Sequence, residues 1–201
     1  MTNVVNLNIR VRSVHIIFTE KELSVFLVPL VTNEHTLPIG TYPLLTKDKF
    51  IGQINRIPIL ELQNGAKDLA IDFYILIKPG MLSEAPEGGK WFSFQEASQL
   101  SNDISSVIGQ TLKKLREDLN YQPIEYNLLP EHFTLADVQS LYELILGKKL
   151  NRGNFYRKMK SLDMLEPIGT QKTGNAYRSP ILYTFNKNYF KKTEEGLFKE
   201  F

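Results

Sequence analysis

Residues 128–185 read LLPEHFTLADVQSLYELILGKKLNRGNFYRKMKSLDMLEPIGTQKTGNAYRSPILYTF, and this stretch decides the fold. Thr134 precedes an apolar-periodic run and Asp137 follows three residues later, the spacing of a capping box that starts a helix. Leu135, Val138, Leu141, Tyr142 and Ile145 then recur at helical spacing, so one face is expected in a core. Gly147 ends that helix, because glycine takes the left-handed C′ conformation without a Cβ clash. Asn151 caps a second helix over 151–162. Phe155, Met159 and Leu162 share one side of it. Gly153, Arg157 and Lys160 fall on the opposite side, flanked by Asn154, Tyr156 and Ser161. Two strands follow as a wing. The outer face of the second helix is basic and amide-bearing, the chemistry that reads base edges and phosphates in a major groove.

An ordinary helical hairpin with a solvated basic face would show the same periodicity. The charge distribution argues for more. Between Gly147 and Lys192 there are eleven Lys and Arg but only two acids, Asp163 and Glu166, on a chain whose net charge is +2. Residues 1–130 hold 12 basic and 14 acidic side chains, and residues 131–201 hold 12 and 8. A basic field confined to one end of a nearly neutral chain is an electrostatic footprint for a polyanion.

The segment resembles the C-terminal winged helix of the Nudix-related transcriptional regulators, a family that includes regulators of NAD metabolism and of pentose-sugar use. The similar residues are Leu129-Pro130 with Phe133-Thr134-Leu135, then Leu141-Tyr142-Glu143 with Ile145-Leu146-Gly147, then Asn154-Phe155 with Arg157-Lys158. The wing departs from the family pattern, which places proline directly after an arginine. Here Ser179 separates Arg178 from Pro180. The resemblance covers about sixty residues closely and the N-terminal part loosely. There, Leu37-Pro38-Ile39-Gly40 is similar to the Leu-Pro-Gly-Gly that introduces a catalytic Nudix box, and Trp91-Phe92 with the helix after it resembles the end of that fold.

The rest of the chain suits this outline. Its 42% apolar and 23% charged content is ordinary for a globular protein. Without cysteine there are no disulfides or thiolate metal sites. His15, His35 and His132 lack metal-ligand spacing, and no apolar run approaches a membrane span. A cytoplasmic location is expected. Asn6 to Thr19 reads as a strand, Lys21-Glu22 as a turn and Leu23 to Leu30 as the returning strand. Thr36 to Leu45 reads as loop. Ile57 to Leu62 and Ile71 to Ile77 are further strands, the latter apolar enough to be buried on both faces. Trp91 to Phe94 reads as a short strand with heavy aromatic burial. Ile104, Val107, Ile108, Leu112 and Leu115 stripe a helix that ends near Asn120.

The expected fold is α+β, with an N-terminal Nudix-like mixed sheet and packed helix and a C-terminal winged helix-turn-helix. Residues 1–120 would form a degenerate Nudix-like sensing and dimerisation domain, 121–130 a linker and 131–201 the DNA-binding domain.

Catalysis is not expected. A Nudix hydrolase holds divalent metal on closely spaced glutamates of one helix, because hard cations take oxygen ligands. After Gly40 the chain offers Asp48, Glu61, Asp68 and Asp72, none paired at helical spacing. Arg116-Glu117-Asp118 reads as a solvated helix end. Ser13, His15 and Asp72 lack a nucleophile elbow, and Gly88-Gly89 lacks the residues of a phosphate loop. No cofactor and no metal are expected.

The leading expectation is a DNA-binding regulator that dimerises and responds to a metabolite. Asn154 and Arg157 are expected near bases, and Lys148, Lys149, Arg152, Lys160, Lys172 and Arg178 on phosphates. Asn151, Tyr156 and Ser161 complete the surface. A cleft in the sheet domain would take the effector, with Arg10, Arg12, Arg56 and Glu61 as polar contacts. The resemblance implies an ADP-ribose-type nucleotide or a pentose, and the missing metal box points towards a sugar or sugar phosphate. Alternative readings are a residual phosphohydrolase and a protein-interaction module with a basic tail.

Overall fold

The computed structural model describes residues 7–29, 35–36, 50–54, 59–61, 67–80, 89–120, 124–171 and 179–186. Strand β1 (Leu7–Thr19) turns into β2 (Glu22–Pro29) through Glu20 and Lys21, at φ 50° and 64°. Two successive left-handed residues make a turn whose twist matches that of the strands it joins. The turn therefore sits one residue earlier than the sequence suggested. The next strand in space is β6 (Lys67–Ile77), parallel to β1 from Leu7↔Lys67 to Ile17↔Ile77. Parallel neighbours are covered on both faces, and Tyr74, Ile75, Leu76 and Ile77 are all buried.

Short antiparallel strands complete the mixed sheet. β3 (His35–Thr36) and β7 (Lys90–Ser93) pair with β2, while β4 (Phe50–Ile54) and β5 (Ile59–Glu61) pair with β6. β4 had no clear sequence signal, being five residues with a central glycine. Phe94 belongs to a short helix α1 (Phe94–Ala97), and the aromatic residues of this segment are only half-buried, less than expected. Gly89 is required where it stands, since a Cβ there would collide with the Phe26 ring and the Leu27 carbonyl.

Helix α2 (Asn102–Asp118) packs Ile104, Val107, Ile108 and Leu115 against Val14, Ile16, Val25, Leu27 and Tyr74 of the sheet. Its two ends are tied down. Near its start Asp103 accepts a hydrogen bond from Arg12 at 2.6 Å. At its end Asp118 accepts from the Tyr74 hydroxyl at 2.6 Å and from Lys114 at 2.7 Å. Burial, with the Asp118 carboxylate alongside, raises the Tyr74 pKa. Asp118 is thus a buried anchor, not the solvated helix end expected.

The segment expected to be a linker carries helix α3 (Ile124–Leu128). Ile124, Leu128 and Leu129 are fully buried. Tyr126 packs edge-on against Phe185 at 5.5 Å, and the Lys78 ammonium lies 4.5 Å over its ring. Lys78 follows β6, and Phe185 lies in the last strand, so α3 fastens the sheet to the C-terminal unit.

That unit is a winged helix. β8 (Phe133–Thr134) leads into α4 (Leu135–Leu146), then α5 (Arg152–Ser161), β9 (Leu165–Thr170) and β10 (Ile181–Phe185). The sheet order is β8-β10-β9, so the expected two-stranded wing gains a third strand. Both halves of the Thr134–Asp137 capping box form, and Gly147 adopts φ 67° at the α4 C-terminus. The apolar cluster runs unbroken from the large sheet through α2 and α3 into α4, α5 and β10. No helix among the described residues is long and apolar enough to cross a membrane.

Candidate nucleic-acid interface

Helix α5 is held from below by two residues. Phe155 and Met159 are buried, and Phe155 meets Tyr142 of α4 edge-on at 5.3 Å. This leaves Arg152, Gly153, Asn154, Arg157, Lys158, Lys160 and Ser161 exposed and Tyr156 half-buried. The helix carries four cations and no acid, so nothing within it neutralises the face.

The structure gives several expected contact residues a local task. Asn151 is the N-cap, its Oδ1 accepting from the Asn154 amide at 3.0 Å. Arg157 donates to Asn154 Oδ1 at 2.6 Å, so the two base-reading candidates form one linked pair. Ser161 turns its hydroxyl back to the Lys158 carbonyl at 2.8 Å. Arg152 stacks over the Tyr156 ring, 5.1 Å from its centroid. Lys148 and Lys160 are exposed. Lys172 and Arg178 lie outside the described residues.

What aims α5 is the turn before it. Glu143 accepts from the Leu150 amide at 2.9 Å, from Gln139 Nε2 at 2.9 Å and from Lys149 Nζ at 2.8 Å. Gln139 also donates to the Leu150 carbonyl at 3.1 Å. Behind the turn, Arg116 of α2 donates its Nε to the Ile145 carbonyl at 2.6 Å, satisfying one of the orphan acceptors at a helix C-terminus. The sequence offered Arg116 only as part of a solvated helix end and Glu143 only as part of the family resemblance, and gave neither a role in this turn. Apart from Gln139, one helical turn before Glu143, their partners lie across a turn or on another helix, where no local spacing marks them.

These contacts lower the Glu143 pKa from 4.5 to about 2, the Lys149 hydrogen bond first, then the Leu150 amide and Gln139. A carboxylate with a depressed folded pKa contributes stability that is complete above its unfolded value and lost as pH falls through the folded one. The stability gap between wild type and Glu143→Gln is therefore expected to hold from pH 7 to about 4.5. It should then shrink towards pH 2, as read by urea unfolding at each pH. A gap insensitive to acid would mean that the carboxylate charge does not hold the turn.

On the sheet, Arg12 is engaged by carboxylates of its own. Its Nε and Nη2 donate to Asp72 at 2.7 and 3.0 Å, and its Nη1 to Asp103 at 2.6 Å. Burial works against the Arg12 charge, but Asp72 and Asp103 outweigh it and raise the pKa. Asp72 pairs with Arg12, and Ser13 and His15 alternate to the other face of the strand, so the Ser13-His15-Asp72 arrangement does not form. Arg10 lies on β1 and Glu61 on β5, at registers opposite Ala70 and Lys67. Arg56, Asp48 and the Leu37–Gly40 segment lie outside the described residues. No group of three or more metal-capable side chains occurs among the described residues.

Comparison with known proteins bears on both units. Residues 125–185 match the family model of the NrtR DNA-binding winged helix domain. Over 101 residues the chain is 29% identical to the ADPR responsive transcriptional repressor NtrR of Acinetobacter baylyi. That match takes in 49% of this chain and spans 40% of the relative's length. The crystal structure of Shewanella oneidensis NrtR complexed with a 27mer DNA superimposes with a TM-score of 0.71 at 19% identity, over 91% of this chain and 95% of that one. The crystal structure of a MutT/nudix family protein from Enterococcus faecalis gives 0.61 at 14% identity, over 90% and 89%. The fold is therefore a Nudix-like mixed sheet joined to a winged helix, and the family-model match lies in the winged helix.

Proposed function

We propose that this chain is an effector-responsive, DNA-binding transcriptional regulator. The observation that carries the reading is the exposed, acid-free face of α5, presented as the second helix of a helix-turn-helix whose turn is held by Glu143. Recognition helices of this class lie in the major groove and use their N-terminal residues on base edges. Asn154 and Arg157 would do so here, because Asn bridges adenine and Arg bridges guanine. Lys148, Lys149, Arg152 and Lys160 would hold phosphates, whose contacts set affinity and register. Residues 131–201 would be the DNA-binding domain and residues 1–120 the sensing and dimerisation domain, with 121–130 as the linker between them. A symmetric dimer would read a palindrome with half-sites about one helical turn apart or a multiple of it.

ADP-ribose is the effector of choice, since the Acinetobacter relative is described as responding to it. This turns the effector away from the sugar that the sequence favoured. The chain would act as a repressor, as that relative is described.

Arg157→Ala tests the interface. It is expected to cost roughly 1–3 kcal/mol on a selected operator and to relax preference at one base pair. Binding is compared on operator and random duplexes. Equal weakening on both would remove Arg157 from the base-reading set.

A further inference from the structure

Lys21 belongs to the sheet unit, yet it lines two grooves of the winged helix. The first, of about 540 Å³, is bounded by Arg152, Tyr156 and Lys160 of α5 and by Gln171 and Pro180 of the wing. The second, of about 460 Å³, is bounded by Ser140, Glu143, Lys148 and Lys149. The acids of both grooves are already engaged. Asp137 completes the Thr134 capping box, and Glu143 holds Leu150 and Lys149. Glu20 and Glu22 flank Lys21 in sequence but line neither groove, and Glu22 borders a separate hollow beside Leu23 and Phe94. Lys21 is exposed, and its backbone is set by a two-residue turn closed by the Thr19↔Glu22 pair.

We infer that Lys21 is a DNA-backbone contact supplied by the sheet unit, which grips the same sugar-phosphate strand as α5 and the wing. The inference rests on the regulator reading above and deepens it. A small anion would fill one groove. Cations spread over two adjoining grooves, from Lys148 and Lys149 past Lys21 to Arg152 and Lys160, suit a ligand that repeats its charge at regular intervals. Such a ligand is a phosphodiester chain, whose binding releases counterions in proportion to the charges met. Lys21 lies in the turn that joins β1, which carries Arg12, to β2.

The test uses the full chain, a selected operator and a random duplex of equal length, with affinity measured between about 50 and 200 mM salt. Lys21→Gln is expected to lower the salt slope by about 1 on both duplexes while leaving their affinity ratio unchanged. Lys90→Gln, an exposed cation on β7 that lines neither groove, is expected to leave the slope unchanged. A wild-type slope for Lys21→Gln, or an equal fall for Lys90→Gln, would overturn the contact. Failure of the wild-type chain to bind either duplex would overturn the regulator reading, and the contact with it.

Discussion

Asp72→Ala is expected to lower the free energy of unfolding by about 3–5 kcal/mol, the cost of removing one partner of a buried ion pair. The Asp72 side chain is fully buried and that of Arg12 is only 13% exposed. Without Asp72, the guanidinium keeps only Asp103 among the described residues, and that side chain is 56% exposed and its attraction screened by water. The charge cannot be shed, since an arginine does not lose its proton in a protein. Asp103→Ala should therefore cost no more than about 1 kcal/mol, as exposed pairs do. Replacing both Arg12 and Asp72 with apolar residues of similar volume should recover much of the loss. Urea or guanidinium titrations of the three variants check the order. A small effect for Asp72→Ala would mean that water or another group reaches Arg12.

The second large effect is expected at Phe155→Ala, at about 3 kcal/mol. Burial puts it among the core aromatic truncations that cost about 3–5 kcal/mol, and its 8% exposure puts it at the low end. Phe155 meets Tyr142 edge-on and, with Met159, is what the exposed face of α5 stands on. DNA affinity should fall along with stability, on operator and random duplexes alike, because the whole face loses its support. Arg157→Ala should instead leave stability unchanged, since an exposed side chain contributes little to folding. The two variants thus separate the aiming of the helix from the reading done by it. An intact affinity in Phe155→Ala at a temperature where the protein stays folded would show that α4 packing does not aim α5.

The parts of this structure that were legible in the sequence are those written locally. Thr134, Asp137 and Gly147 bracket α4 because caps act within one turn of chain, and Asn151 opens α5 for the same reason. The periodic apolar residues of α2, α4 and α5 reached the core as expected, and Ile71–Ile77 found its place beside a parallel neighbour. What escaped was long-range. Arg116 meets Ile145 across 29 positions, Tyr74 meets Asp118 across 44, and Arg12 meets Asp72 across 60. No spacing rule connects residues so far apart, so Asp118 looked solvated and Arg12 looked available for a ligand. The α3 helix escaped for another reason. Flanking prolines marked 121–130 as a connector, while the burial of Ile124 and Leu128 depends on surfaces brought from both units. The face of α5 was legible because it is defined by what does not pack.

The central claim is that DNA recognition and effector binding are linked in this chain. The most direct measurement selects genomic DNA fragments with the purified protein at roughly physiological salt and then titrates the bound fragments with ADP-ribose, with arabinose in parallel. The account predicts a recurring palindrome whose affinity shifts about 5–150-fold with ADP-ribose, the range of an allosteric coupling of about 1–3 kcal/mol, and does not shift with arabinose. Binding without sequence preference, unmoved by ADP-ribose, would contradict it.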